Sequence, residues 1–139
     1  MKRWLIDAGP LVAYVDASDP AHAAVVRALD EFRGHLYTTT AVVTEAMHLV
    51  ADDPEGPAVL VEFLIATGTA IADVGSRAEL QAAVRLMRKY QDTPMDFADA
   101  TLVLLSDRLA VTDILTLDRR GFTTYRTAKG RGFRVWPSP

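Results

Sequence analysis

The chain contains no cysteine. That absence excludes disulfides and thiolate metal sites, and it is compatible with a cytoplasmic setting. No apolar run approaches the roughly 18 residues that suggest a membrane span, so no membrane association is expected. The start, Met1-Lys2-Arg3-Trp4, runs at once into a strand-like segment containing an Asp. A secretory leader would have a longer, uncharged apolar core. No Gly-x-x-x-x-Gly-Lys loop is present, which argues against nucleotide hydrolysis of the P-loop kind. Acid is missing from one stretch: nothing after Asp118 is Asp or Glu, while that tail carries Arg119, Arg120, Arg126, Lys129, Arg131 and Arg134.

The 139 residues suit one domain, expected to span 1–139. Half of them are hydrophobic (50%), enough for a real core. The net charge of −3 hides the asymmetry of the tail. A basic tail beside acidic segments fits a phosphate-bearing substrate steered toward a cation site. A solvated surface strand and turn fits it equally.

Strand and helix signals alternate along the chain. Strands are expected over residues 3–7, 36–39, 69–73 and 114–117, with a fifth over 133–136 at the edge. Between them the sequence predicts helices over 11–15, 21–33, 41–50, 58–66, 77–90 and 96–109. Thr40 and Ser76 are placed as N-caps, and Gly34 and Gly68 as stops. The alternation predicts an α/β fold with a central parallel sheet flanked by helices. In such sheets the ligand site lies beyond the carboxyl ends of the strands.

Four carboxylates fall at those places: Asp7 and Asp118 at or just after strand ends, Glu45 and Asp99 early in helices that follow. Each sits among apolar residues, where an unpaired carboxylate is costly. Each has an ordinary alternative. Asp7 can cap a helix, Glu45 can favour a helix dipole, and Asp118 can serve a turn. Asp96 shares a helix face with Asp99 and reads equally as an N-cap. Together the four suggest one site for a hard cation, Mg²⁺ or Mn²⁺, and metal-assisted phosphodiester chemistry. Thr116, two residues before Asp118, can hydrogen-bond a carboxylate or a phosphate oxygen. Arg119 and Arg120 are candidate contacts to a nucleic-acid backbone. His48 reads as a helix-face histidine, and His22 and His35 as surface residues. The aromatics Trp4, Phe97, Phe122 and Trp136 are expected in the core.

Four segments in order carry a resemblance: Leu5-Ile6-Asp7-Ala8-Gly9-Pro10-Leu11, Thr44-Glu45, Asp96 through Ala100, and Leu115-Thr116-Leu117-Asp118. They resemble the motifs of PIN domains, most closely the VapC-type toxins of bacterial toxin–antitoxin pairs, across Leu5 to about Tyr125. The resemblance implies a PIN-like three-layer fold and a Mg²⁺- or Mn²⁺-dependent endoribonuclease. It implies that Asp7, Glu45 and Asp99 hold the metal and catalyse, that Asp118 completes the site, and that Asp96 and Thr116 support it. It also implies an RNA substrate, a homodimer, and a small VapB-like antitoxin whose tail enters the active-site groove. The helix faces near Ala58–Leu64 and Leu80–Met87 are the expected dimer surface. One departure is visible. Many relatives carry an acid just before the aromatic of the fourth segment, where this chain has Gly121.

The other readings differ in class. A haloacid-dehalogenase phosphatase would want Asp-x-Asp at the first strand, where Gly9 stands. A receiver domain would want an acidic pair early and a lysine late, and Lys129 lies too far beyond the last core strand. A catalytically silent PIN-like scaffold is the non-enzymatic alternative.

Overall fold

Short apolar runs that are covered on both faces favour parallel strands, and the buried strand ends at residues 4–6 and 114–115 are of this kind, at the middle of a sheet of five. The computed structural model describes residues 1–138. Its elements run β1 (Lys2–Ile6), α1 (Ala8–Val15), α2 (His22–Glu31), β2 (Gly34–Thr39), α3 (Thr40–Val50), α4 (Gly56–Ala66), β3 (Ala70–Ala72), α5 (Arg77–Lys89), α6 (Phe97–Leu109), β4 (Asp113–Leu115), α7 (Arg119–Thr124) and β5 (Arg134–Trp136). The strands form one sheet in the order β3-β2-β1-β4-β5, with every neighbouring pair parallel. This is the expected α/β fold. No helix is long and apolar enough to cross a membrane.

β1 is the centre strand, and the chain order reverses around it: β2 lies on one side and β4 on the other. Leu5, Ile6, Ile114 and Leu115 are fully enclosed. The register pairs Ile6 with Leu115. One residue further, Asp7 and Thr116 leave the strands side by side. That reversal point opens a crevice at the carboxyl end of the sheet, the usual ligand position in open α/β folds.

The differences from expectation have local causes. The stretch after Asp118, for which the sequence predicts no helix, forms α7. Its six residues include Gly121 and two threonines, so propensity is weak and the Asp118 cap starts the helix. β4 stops at Leu115, and the Thr116 N–H still donates to the Trp136 carbonyl at 3.0 Å. Thr39 rather than Thr40 caps α3, accepting from the Val42 N–H at 3.2 Å. Gly68 closes α4 with φ +63°, a conformation that suits glycine. Phe97 is not in the core: it stands 38% exposed at the start of α6. Trp4 and Phe122 are buried as expected, and Trp136 packs half-buried against Trp4.

Candidate active site

Four of the five candidate carboxylates sit at the start of a helix, and Glu45 lies one turn further in. Asp7 caps α1, with Oδ1 accepting from the Ala8 N–H at 2.8 Å. Asp118 caps α7, accepting from the Gly121 N–H at 3.0 Å. Asp96 caps α6 in a reciprocal pair with Asp99. The Asp99 N–H donates to Asp96 Oδ1 at 2.8 Å, and the Asp96 N–H donates to Asp99 Oδ2 at 3.2 Å. Glu45 stands half-buried on the second turn of α3. Capping explains why short carboxylates occur at these points. It does not explain why four helices bring them to one place.

The structure does bring them together. Asp7, Glu45, Asp96, Asp99 and Asp118 line one cleft of about 340 Å³, with Gly9 and Leu117 completing its wall. Thr116 lies behind it. Its hydroxyl donates to Asp7 Oδ2 at 2.8 Å and accepts from the Asp118 N–H at 3.0 Å. One threonine therefore joins the β1 end to the start of α7. Arg119 points elsewhere and donates to the Pro137 carbonyl at 3.0 Å. Arg120 is exposed. Arg126 is spent on the carbonyls that end α7, and Arg134 covers the Trp136 ring. His48 is exposed, and His22 contacts the Ala13 carbonyl.

The electrostatics are those of a crowded anionic pocket. Burial pushes the Asp7 carboxyl above the usual range, against the opposing hydrogen bonds from Thr116 and Ala8. Burial, then Asp96 and Asp7, raise Glu45. Burial, then the charges of Asp7 and Asp96, push Asp99 up to about 8. Desolvation and like charge act in the same direction on these three acids. Such a concentration of proton affinity is characteristic of functional sites.

A PIN domain family model matches residues 4–128. The chain belongs to the PIN-domain family. This PIN domain is 40% identical over 135 residues to Ribonuclease VapC26 of Mycobacterium tuberculosis, an alignment covering 96% of this chain and 99% of the relative. Its backbone also resembles the crystal structure of VapC20 of Mycobacterium tuberculosis, a sarcin-ricin loop cleaving toxin. That match has a TM-score of 0.71 at 16% identity, over 79% of this chain and 85% of the other. At such low identity the second likeness bears on the fold alone.

Two supports of this PIN-domain site were not visible in the sequence. The first is a hydroxyl relay between β2, α3 and α6. The Thr101 hydroxyl donates to the Ala98 carbonyl at 2.6 Å, so the Thr39 hydroxyl, 2.8 Å away, is the donor between the two threonines. Thr39 in turn accepts from Val42. The relay fixes the helices that carry Glu45 and Asp99. The second is Tyr125, buried behind the cleft, whose hydroxyl donates to the Pro94 carbonyl at 2.9 Å. Burial first, and then the charge of Asp99, raise its pKa. It ties the end of α7 to the turn that leads into Asp96. Both contacts join residues far apart in sequence, with no periodic signal to predict them.

The donors fit a hard divalent cation. The cleft offers carboxylate oxygen and no sulfur or imidazole, and oxygen sets of this kind suit Mg²⁺ or Mn²⁺. Among the described residues, no three of the carboxylates close into a ready-made ligand shell. That is compatible with Mg²⁺, which keeps several waters and takes one or two carboxylates directly.

Proposed function

We propose that this protein is a Mg²⁺- or Mn²⁺-dependent endoribonuclease, the toxin of a VapBC-type toxin–antitoxin pair. The observation that carries the reading is Asp7. It is a buried carboxylate held from behind by Thr116 and Ala8, and it faces Glu45, Asp99 and Asp118 in one cleft. The name of the relative that is 40% identical supports the same activity.

The chain's residues divide the work. Asp7, Glu45 and Asp99 hold the cation, and Asp118 completes the set. Asp7 Oδ1 and Oδ2 each spend one hydrogen bond inward, on Ala8 and Thr116, which orients their remaining lone pairs toward the cleft. Asp96 fixes Asp99 through the reciprocal cap. Bound there, the cation supplies positive charge to the phosphate oxygens and lowers the pKa of the attacking water. Asp99 orients that water and accepts its proton. Arg120 rather than the engaged Arg119 contacts the RNA backbone.

The assembly we infer is a cytoplasmic, single-domain homodimer neutralised by a small VapB-like antitoxin. Exposed Val61 and Ile65 on α4 and Leu80 and Val84 on α5 supply apolar surface for self-association. The scaffold alternative would leave the raised carboxylates without a role.

The test is cleavage of total cellular RNA by the purified protein with Mn²⁺, Mg²⁺ or EDTA, with Asp7→Asn alongside and the cut ends sequenced. Discrete cuts that need metal and Asp7 are expected. A folded, metal-replete protein that makes none would overturn the nuclease reading in favour of the scaffold.

A further inference from the structure

Phe97 is the only aromatic side chain that the fold leaves this open among the described residues; the other aromatics are buried or half-buried. A single exposed apolar residue is ordinary on a protein surface. Its position is not. Phe97 immediately follows the Asp96 cap, at the first residue of α6. With Ala41, Thr44 and Ala98 it lines a shallow depression of about 520 Å³. Glu45 and Asp96 line this depression and the carboxylate cleft alike. The two hollows therefore adjoin, one acidic and the other walled by a ring and two methyl groups beside those two acids.

An occupant of that second hollow must tolerate two neighbouring carboxylates. A second phosphate would not, because like charges at this range repel. The base of a nucleotide is neutral at neutral pH and has a flat face that stacks on phenyl rings. Thr44 adds a polar edge. Its hydroxyl donates to the Thr40 carbonyl at 2.9 Å, which leaves its oxygen free to accept from an exocyclic amine or imino group.

We infer that the depression formed by Phe97, Ala41, Thr44 and Ala98 is a nucleobase subsite, in which Phe97 stacks on a base next to the scissile phosphate. The subsite rests on the nuclease reading above. Stacking is sequence-tolerant, so Phe97 contributes affinity and register, and Thr44 the preference among bases. Backbone capping of α6 does not depend on the ring, since Asp96 and Asp99 supply it.

The experiment compares wild type, Phe97→Ala, Phe97→Leu and Phe97→Trp on total cellular RNA with Mn²⁺, reading KM and kcat at the cut sites that wild type makes. In parallel, an inactive Asp99→Asn background is titrated with single-stranded RNA decamers of mixed sequence carrying one 2-aminopurine, a base whose fluorescence is quenched by stacking. KM is expected to rise on the order of tenfold in Phe97→Ala and Phe97→Leu, with kcat little changed and Phe97→Trp close to wild type. Quenching should vanish when Phe97→Ala is added to the inactive background. Unchanged KM and unchanged quenching, with wild type cleaving normally, would overturn the subsite and leave the nuclease reading intact. No cleavage by wild type would instead remove the reading on which the subsite stands. A KM loss in Phe97→Ala that Phe97→Leu fully restores would also overturn it, because apolar packing without an aromatic face would then suffice.

Discussion

Two helices of this protein start with the same device and opposite electrostatics. α5 begins with a capping box in which Ser76 and Glu79 satisfy one another's backbone N–H groups. α6 begins with a box of the same form built from Asp96 and Asp99. In the first, hydrogen bonds from Ser76 lower the pKa of Glu79, and Arg108 pairs with it at the surface. In the second, burial and the nearby Asp7 and Asp96 push Asp99 up to about 8. A cap needs one acceptor per free N–H, and a neutral serine provides it. The second box therefore carries a negative charge that capping does not require. It faces three other carboxylates, and no Lys or Arg lines the cleft. The first box serves the fold alone, and the second also lines the acidic cleft.

The largest effect should come from neutralising the second box. Asp99→Asn is expected to lower RNA cleavage on the order of 1000-fold, the scale of losing a main electrostatic element of a site. Glu79→Gln should leave cleavage unchanged. Initial rates on total RNA in Mn²⁺ check both, and equal losses in the two variants would erase the distinction.

The pH dependence of stability should differ in sign. Asp99 binds its proton more tightly in the folded state, so stability of the metal-free protein falls as pH rises from about 4 to about 8, and is level above. Glu79 has a lowered folded pKa, so its contribution is present above its unfolded pKa and is lost as pH falls through the folded one. Tm measured in EDTA between pH 3 and pH 9 resolves the two, with the Glu79 effect at the acid end and the Asp99 effect above it. Asp99→Asn should flatten the decline toward pH 8, and Glu79→Gln should not. Adding Mn²⁺ at a hundredfold excess over its Kd should raise wild-type stability by about 2.7 kcal/mol.

The smallest effects sharpen the comparison by exchanging cap chemistry. Ser76→Ala should cost about 1 kcal/mol of stability with cleavage intact. Asp96→Ser keeps an N-cap acceptor while removing one charge beside Asp99. In EDTA at pH 8 it should unfold no more readily than wild type, yet with Mn²⁺ it should cleave about tenfold more slowly, because the cleft has lost one of its carboxylates. Denaturant melts and initial rates test each, and a large stability loss in Asp96→Ser would show that its charge is structural.

Much of this was legible in the sequence because local rules wrote it. Ser76 announces α5, and Thr93-Pro94 announces the break before α6. The Leu-Ile-Asp of β1 announces a strand ending in a carboxylate. For Asp96 the cap and the functional reading were posed as alternatives, and the residue lies at the cleft as well as at the cap. α7 was not legible, since glycine and threonine dominate it and the Asp118 side chain starts it. Phe97 was misplaced because an aromatic after a helix cap reads as apolar packing. Its exposure depends on where α3 lies, which no neighbouring residue encodes. The Thr39–Thr101 relay and the Tyr125 clamp are tertiary pairings between hydroxyls with no periodicity to betray them.

A larger residue at position 121 would force its neighbours to shift. A Cβ built there would run into the Asp118 carboxylate and come within 2.9 Å of the Tyr125 hydroxyl. An acid at that point would displace the Asp118 cap and the clamp together.

The hydrogen bond between Asp7 and Thr116 joins residues 109 apart in the chain. During synthesis β1 emerges long before β4, and until β4 arrives the centre strand lacks its second neighbour. A ribosome in the act of making this protein thus holds a chain that already carries Asp7, Glu45, Asp96 and Asp99 but no frame to hold Asp7 in place. The site closes only once β4 has paired with β1, so the fold's own topology works as a delay: four of the cleft's five carboxylates are made before the frame that gathers them.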